Sequence, residues 1–167
     1  MPKPRIAVLT LLAALAAAPP AAAEGSFGLF GGQFLVDSEV DSESRLDVLG
    51  LRAGWSVAPR WSVEGSVSWI EEGPVDLYLG DLSLRWTPRP DAGVRFYALG
   101  GPGVLHVELD DGVLGDPDDE LAVHLGSGVE IDLGRRFVLR PDVRWRWFDD
   151  GDDTIHTEAT LGLGFRF

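Results

Sequence analysis

Apolar and polar residues alternate at period two in this chain, over runs too long for an ordinary soluble sheet. Residues 61–69 set Trp61, Val63, Gly65, Val67 and Trp69 against Ser62, Glu64, Ser66 and Ser68. Residues 121–133 set Leu121, Val123, Leu125, Val129, Ile131 and Leu133 against His124, Gly126, Gly128, Glu130 and Asp132. Residues 137–147 set Phe137, Leu139, Val143, Trp145 and Trp147 against Arg140, Asp142, Arg144 and Arg146. Strand side chains point alternately to opposite faces, so each run is a strand with one apolar and one polar face. No stretch after residue 24 carries the i, i+3, i+4, i+7 pattern of an amphipathic helix.

Turn signals divide the rest of the chain into eight runs, near 26–36, 45–57, 60–70, 76–87, 93–107, 120–133, 136–148 and 154–167. Soluble strands average about 5–6 residues, whereas tilted membrane strands need about 9–11. The runs belong to the second class. Alternation is less clean in 26–36, 45–49 and 76–81. Gly100-Gly101-Pro102-Gly103 interrupts the fifth run, where a bulge or kink is expected.

The connections sort by parity. The first, third, fifth and seventh are acidic: Asp37, Glu39, Asp41 and Glu43; Glu71, Glu72 and Asp76; Glu108 to Glu120; and Asp149, Asp150, Asp152 and Asp153. The second, fourth and sixth are short and carry Arg60, Arg89, Arg135 and Arg136. An up-and-down barrel sends odd and even connections to opposite ends, and outer-membrane barrels put short turns on the periplasmic side. Trp55, Trp61 and Trp86 fall beside the short turns; Trp69, Trp145 and Trp147 fall near the acidic connections. Two aromatic girdles at the two membrane interfaces are therefore expected. The fold expected over 24–167 is all-β, an eight-stranded antiparallel up-and-down transmembrane β-barrel.

Residues 1–23 are expected to be an export signal. A basic start with Lys3 and Arg5 precedes an apolar run, Ile6 to Ala18, and a small-residue end, Ala21-x-Ala23 before Glu24. The apolar run is short of the roughly 20 residues a spanning helix needs. The chain has no cysteine, which excludes disulfides, thiolate metal sites and a cysteine nucleophile. With 27 acidic against 14 basic residues it would repel phosphate backbones, so nucleic acid is excluded as a partner.

The ending Leu161-x-Leu163-x-Phe165-x-Phe167 resembles the C-terminal assembly signal of bacterial outer-membrane barrels. The whole of 24–167 resembles the small OmpA-like and OmpW-like outer-membrane β-barrel superfamily. That resemblance implies location in the bacterial outer membrane amid lipid and lipopolysaccharide. It also implies assembly by the barrel-assembly machinery and periplasmic chaperones.

If the apolar faces meet lipid, the other faces fill the barrel. Parity sends Arg52, Arg85, Arg95, Arg140, Arg144, Arg146 and Arg166 inside, with Glu64, Asp81, Glu130, Asp132, Asp142 and Glu158. Arginine binds carboxylates in a bidentate fork, so this near-balance reads as a plug of ion pairs, with a partly wet lumen as the alternative. Gly126, Gly128, Gly162 and Gly164 would leave room for the arginines.

Candidate chemistry is sparse. Asp116, Asp118 and Asp119, and Asp149, Asp150, Asp152 and Asp153, are weak candidates for divalent cations, bridging to lipopolysaccharide among the possibilities. They match no EF-hand pattern, and solvated loops are the plainer reading. Lipid-A deacylases among such barrels resemble one another in a His-x-Ser motif; His156-Thr157-Glu158 lacks the serine, and His106 and His124 are expected to have no neighbouring serine. No cofactor and no enzymatic activity are expected. The expected function is a structural barrel with a charge-plugged interior and acidic surface loops, the alternative a narrow cation-preferring channel, the remote one a lipid A-modifying enzyme. A monomer is expected, because a closed barrel leaves no strand edge to pair.

Overall fold

In a computed structural model the described residues are 24–36, 44–72, 75–109, 119–149 and 155–167. They form eight strands: β1 (Gly25–Val36), β2 (Ser44–Ala58), β3 (Trp61–Glu72), β4 (Val75–Trp86), β5 (Val94–Leu109), β6 (Asp119–Asp132), β7 (Phe137–Phe148) and β8 (His156–Arg166). Each boundary lies within two residues of the one expected from alternation and turn signals. Every strand pairs antiparallel with its sequence neighbour, and β1 pairs with β8, giving a closed up-and-down barrel. Gly25 and Phe167 close the seam with reciprocal backbone hydrogen bonds of 3.1 and 3.0 Å. Residues 1–23 and much of the acidic connections lie outside the described residues, including Asp116, Asp118, Asp150, Asp152 and Asp153.

Strands of about 12 residues rising 3.3 Å each at a tilt of about 40° climb about 30 Å, the thickness of a bilayer's hydrocarbon core. The turns after β2, β4 and β6 sit at one end of the barrel, the turn end; the acidic connections after β1, β3, β5 and β7 leave from the other, the loop end. In the turn after β6, Gly134 takes φ = 121°, a conformation that favours glycine. A register shift between Ser56 and Ala58 marks a bulge beside the first turn.

Gly100-Gly101-Pro102-Gly103 makes no register-shifting bulge, which corrects the bulge half of the expectation, although the β4–β5 ladder drops its pairs there at Leu82 and Ser83. The β4–β5 register is the same on both sides of it, Asp81 facing Gly103 and Leu84 facing Gly100. The β5–β6 ladder runs straight through. The glycines allow a close approach instead: a Cβ on Gly101 would stand 2.0 Å from the Leu82 carbonyl oxygen.

The outward faces are apolar, with Phe27, Leu29, Leu49, Leu82, Leu84, Phe96, Leu121, Val123, Leu125, Leu161 and Leu163 all exposed. The fully buried side chains include Arg144, Arg146, Glu64, Glu158 and His124. Charge inside and hydrocarbon outside is the inverse of a water-soluble protein.

Candidate functional site

The lumen-facing side chains form two layers. Nearer the turn end and through the middle lies one connected ionic network. Arg95 binds Asp132 through two nitrogens, at 3.0 and 2.5 Å, and Glu130 through Nε at 3.2 Å. Arg166 also donates to Asp132. Arg85 donates to Glu130 at 2.5 Å and to Ser62 at 2.9 Å. Glu130 lies 3.6 Å from Arg140, whose fork grips Glu64 at 2.6 and 3.3 Å. Arg144 joins Glu64, Asp142 and Asp81, the last at 2.9 Å. Arg52 donates to Asp142 at 2.6 Å and to Thr160 at 3.3 Å. Arg146 clamps Asp81 through two nitrogens, at 2.6 and 2.8 Å, and holds Glu158 at 2.5 Å.

All thirteen residues that parity sends inward join this network. It links seven strands: β2 gives Arg52, β3 Glu64, β4 Asp81 and Arg85, β5 Arg95, β6 Glu130 and Asp132, β7 its four alternate charges, and β8 Glu158 and Arg166. The partners are far apart in sequence, Arg52 and Asp142 by 90 residues. Charge-assisted bonds at this depth are strong because little water competes.

The second layer is apolar and occupies the lumen nearer the loop end. Phe30, Phe34, Leu46, Val48, Ile70 and Leu79 form a buried cluster, with Leu77, Leu105 and Phe148 against it. His156 stacks on Phe34 at 5.6 Å and meets the edge of Phe148 at 5.1 Å. Phe30 joins the layers, its ring lying 4.2 Å under the Arg52 guanidinium. The polar-plug reading of the sequence missed this layer. Its signal was the loss of clean alternation in 26–36, 45–49 and 76–81: in 26–36 both faces carry apolar residues, and in 45–49 the pattern inverts, with Leu46 and Val48 buried in the lumen and Arg45 and Asp47 exposed outside.

Lumen-facing glycines set which side chains meet. Tyr97, Gly128 and Asp142 stand in register across β5, β6 and β7. Tyr97 reaches over the glycine to donate to Asp142 at 3.2 Å. A Cβ on Gly128 would lie 2.4 Å from the tyrosine oxygen. Ser83, Gly101 and His124 repeat the arrangement across β4, β5 and β6, and Ser83 Oγ lies 2.8 Å from His124 Nε2. The sequence reading of His124 as lacking a serine neighbour is thus corrected. The neighbour comes from two strands away, over a residue with no side chain. Asp81 stands 3.6 Å from the other ring nitrogen, beyond hydrogen-bond length. Asp81 is already clamped by Arg144 and Arg146, and the serine and histidine are buried. The three groups therefore form part of the packed lumen. His106 lies on the outward face beside Tyr78, ring centroids 6.5 Å apart.

Gly126 makes room for Arg144 and Leu99, Gly162 for Phe30 and Arg52, and Gly164 for Val138. Of the tryptophans, Trp61 faces Trp86 at the turn end, and Trp55 faces Gly25 there. Trp69 faces Tyr78 toward the loop end, and Trp145 and Trp147 lie in the corresponding part of β7. Leu161, Leu163 and Phe167 are exposed on the outside of β8 and its end. Among the described residues, no group of three or more His, Asp or Glu side chains could hold a metal ion; Asp149 is exposed at the end of β7.

A family model described as the outer membrane protein beta-barrel domain matches residues 7–167. The chain belongs to that family. An outer membrane β-barrel protein with this outward face sits in the lipid and lipopolysaccharide of the bacterial outer membrane. No curated protein matches it in sequence. Among solved structures it is similar to the N-terminal β-barrel domain of OprF from Pseudomonas aeruginosa (TM-score 0.70, 16% identity, covering 86% of this chain and 97% of that one). Neisserial surface protein A is similar at TM-score 0.70 and 11% identity, covering 86% and 97%. Ail, the attachment invasion locus protein of Yersinia pestis, is similar at 0.65 and 19%, covering 86% and 98%. At these identities the likeness is one of fold.

Proposed function

We propose that this outer membrane β-barrel protein is a structural element of the envelope, with a lumen sealed by its own side chains and acidic loops facing outward. The observation that carries this reading is the stacking of the two layers. Asp81, clamped by Arg146, is two residues along β4 from Leu79, and Glu158 faces Phe34 in register, so an ion passing the paired charges would meet the apolar cluster next. An eight-stranded barrel is only wide enough to be filled by side chains. The turn end faces the periplasm, as short turns do in such barrels. Leu161, Leu163, Phe165 and Phe167 act as the signal to the barrel-assembly machinery, with periplasmic chaperones carrying the chain. Acidic loops at the outer face would attract the divalent ions that bridge lipopolysaccharide. The barrel is a monomer, since each described strand is paired on both sides. No nucleic acid and no cofactor enter this function, and no catalysis is proposed.

Solute flux into vesicles tests the sealed lumen. Proteoliposomes holding the folded barrel should swell in isotonic arabinose no faster than protein-free vesicles. Fast swelling would favour the channel reading.

A further inference from the structure

The turn end carries a basic and aromatic rim that the sealed lumen does not use. Trp61 opens β3, Trp86 closes β4, and the two face each other in register. Both indoles point outward, 43% and 41% exposed. Just beyond them, Thr87 N donates to the Arg60 carbonyl at 2.8 Å and draws the two neighbouring turns together. Between the turns lies an open cleft of about 580 Å³, lined by Pro59, Arg60, Pro88, Arg89, Pro90 and Asp91. The prolines fix the backbone from which the two arginine stems project. Arg60 and Arg89 are exposed, and no ion pair holds either one among the described residues. Asp91 leaves the cleft with one net positive charge.

Indole favours the membrane interface, and a guanidinium just past it toward water stands at the level of lipid phosphates. Arginine suits a phosphodiester because it offers several donors in a fixed plane. Along β4 the outward residues below Trp86 are Leu84 and Leu82, 49% and 48% exposed, a surface for acyl chains. We propose that this cleft holds the headgroup of an anionic phospholipid, its phosphate between Arg60 and Arg89 and its chains on the outer face of β3 and β4. Assigning that lipid to the periplasmic leaflet rests on the orientation given under Proposed function. The site itself does not, and it is independent of whether the lumen conducts.

The refolded barrel is placed in phosphatidylcholine nanodiscs, identical on both faces. Either phosphatidylglycerol or phosphatidylcholine carries brominated chains, at matched mole fraction, and quenching of tryptophan emission is read. One net charge at a membrane surface enriches an anionic lipid about fivefold. Brominated phosphatidylglycerol should therefore quench more than brominated phosphatidylcholine. The excess should vanish in Arg60→Gln/Arg89→Gln and persist in Arg135→Gln/Arg136→Gln, with heat-dependent gel mobility showing each variant folded. Equal quenching by the two lipids would overturn the site. So would an excess that survives Arg60→Gln/Arg89→Gln.

Discussion

Among single residues, the charges inside the barrel work through pairing. Burying a carboxylate is costly, and the cost is offset only while its guanidinium partners stay in place. Replacing Arg140 by Met leaves Glu64 only its longer contacts, Arg144 at 3.4 Å and Arg85 at 4.0 Å, and should cost about 3–5 kcal/mol. The same holds for Glu64→Gln, which leaves Arg140 short of its fork partner. The double variant Glu64→Gln/Arg140→Met should cost less than the sum, because neither charge is then left alone. Urea unfolding in vesicles, followed by tryptophan emission, measures all three. Much of this arrangement is written in parity: in 137–147, period two alone separates Arg140, Asp142, Arg144 and Arg146 from Trp145 and Trp147. Which arginine meets which acid is not written there. Arg52 finds Asp142 and Arg146 finds Asp81 across the lumen, by geometry that follows from closure and register. The Ser83–His124 contact was illegible for the same reason, since it forms over Gly101.

Glycine and packing act at the scale of the strand. Gly101 and Gly80 lie on adjacent strands with opposite surroundings. A methyl on Gly101 would meet the Leu82 carbonyl at 2.0 Å, whereas one on Gly80 meets nothing within 4 Å. Gly101→Ala should therefore destabilise by about 1–3 kcal/mol, as overpacking does, and Gly80→Ala by less than about 0.5. Thermal gel-shift midpoints would separate them. Equal effects would mean that β4 and β5 do not approach as described. The apolar layer makes its own prediction. Phe30→Ala removes the ring joining the two layers and should cost about 3–5 kcal/mol, Leu79→Ala about 2–5. These strands were the hardest to read. Where the lumen face turns apolar, the alternation that identifies a strand is lost or inverted, so turn signals had to place β1, the start of β2 and the start of β4. The Gly-Gly-Pro-Gly stretch misled in the other direction. Glycine at a bulge and glycine at a close strand approach look the same in sequence, and only a register that resumes unshifted tells them apart.

The whole molecule turns a soluble protein inside out and closes on itself, which explains why the fold was so legible. Eight long runs and sorted connections both follow from spanning a membrane as a barrel, and few other folds satisfy both. The lumen's content decides function, and it depends on how the layers stack. The central claim is that ions cannot pass through them. The direct measurement is single-channel recording of the refolded barrel in a planar bilayer, with heat-dependent gel mobility confirming the fold. A silent bilayer at moderate voltage is the predicted result. Steady, cation-selective openings from the folded barrel would contradict it, because they would require a hydrated path past Arg146 and through the Phe30–Leu79 layer.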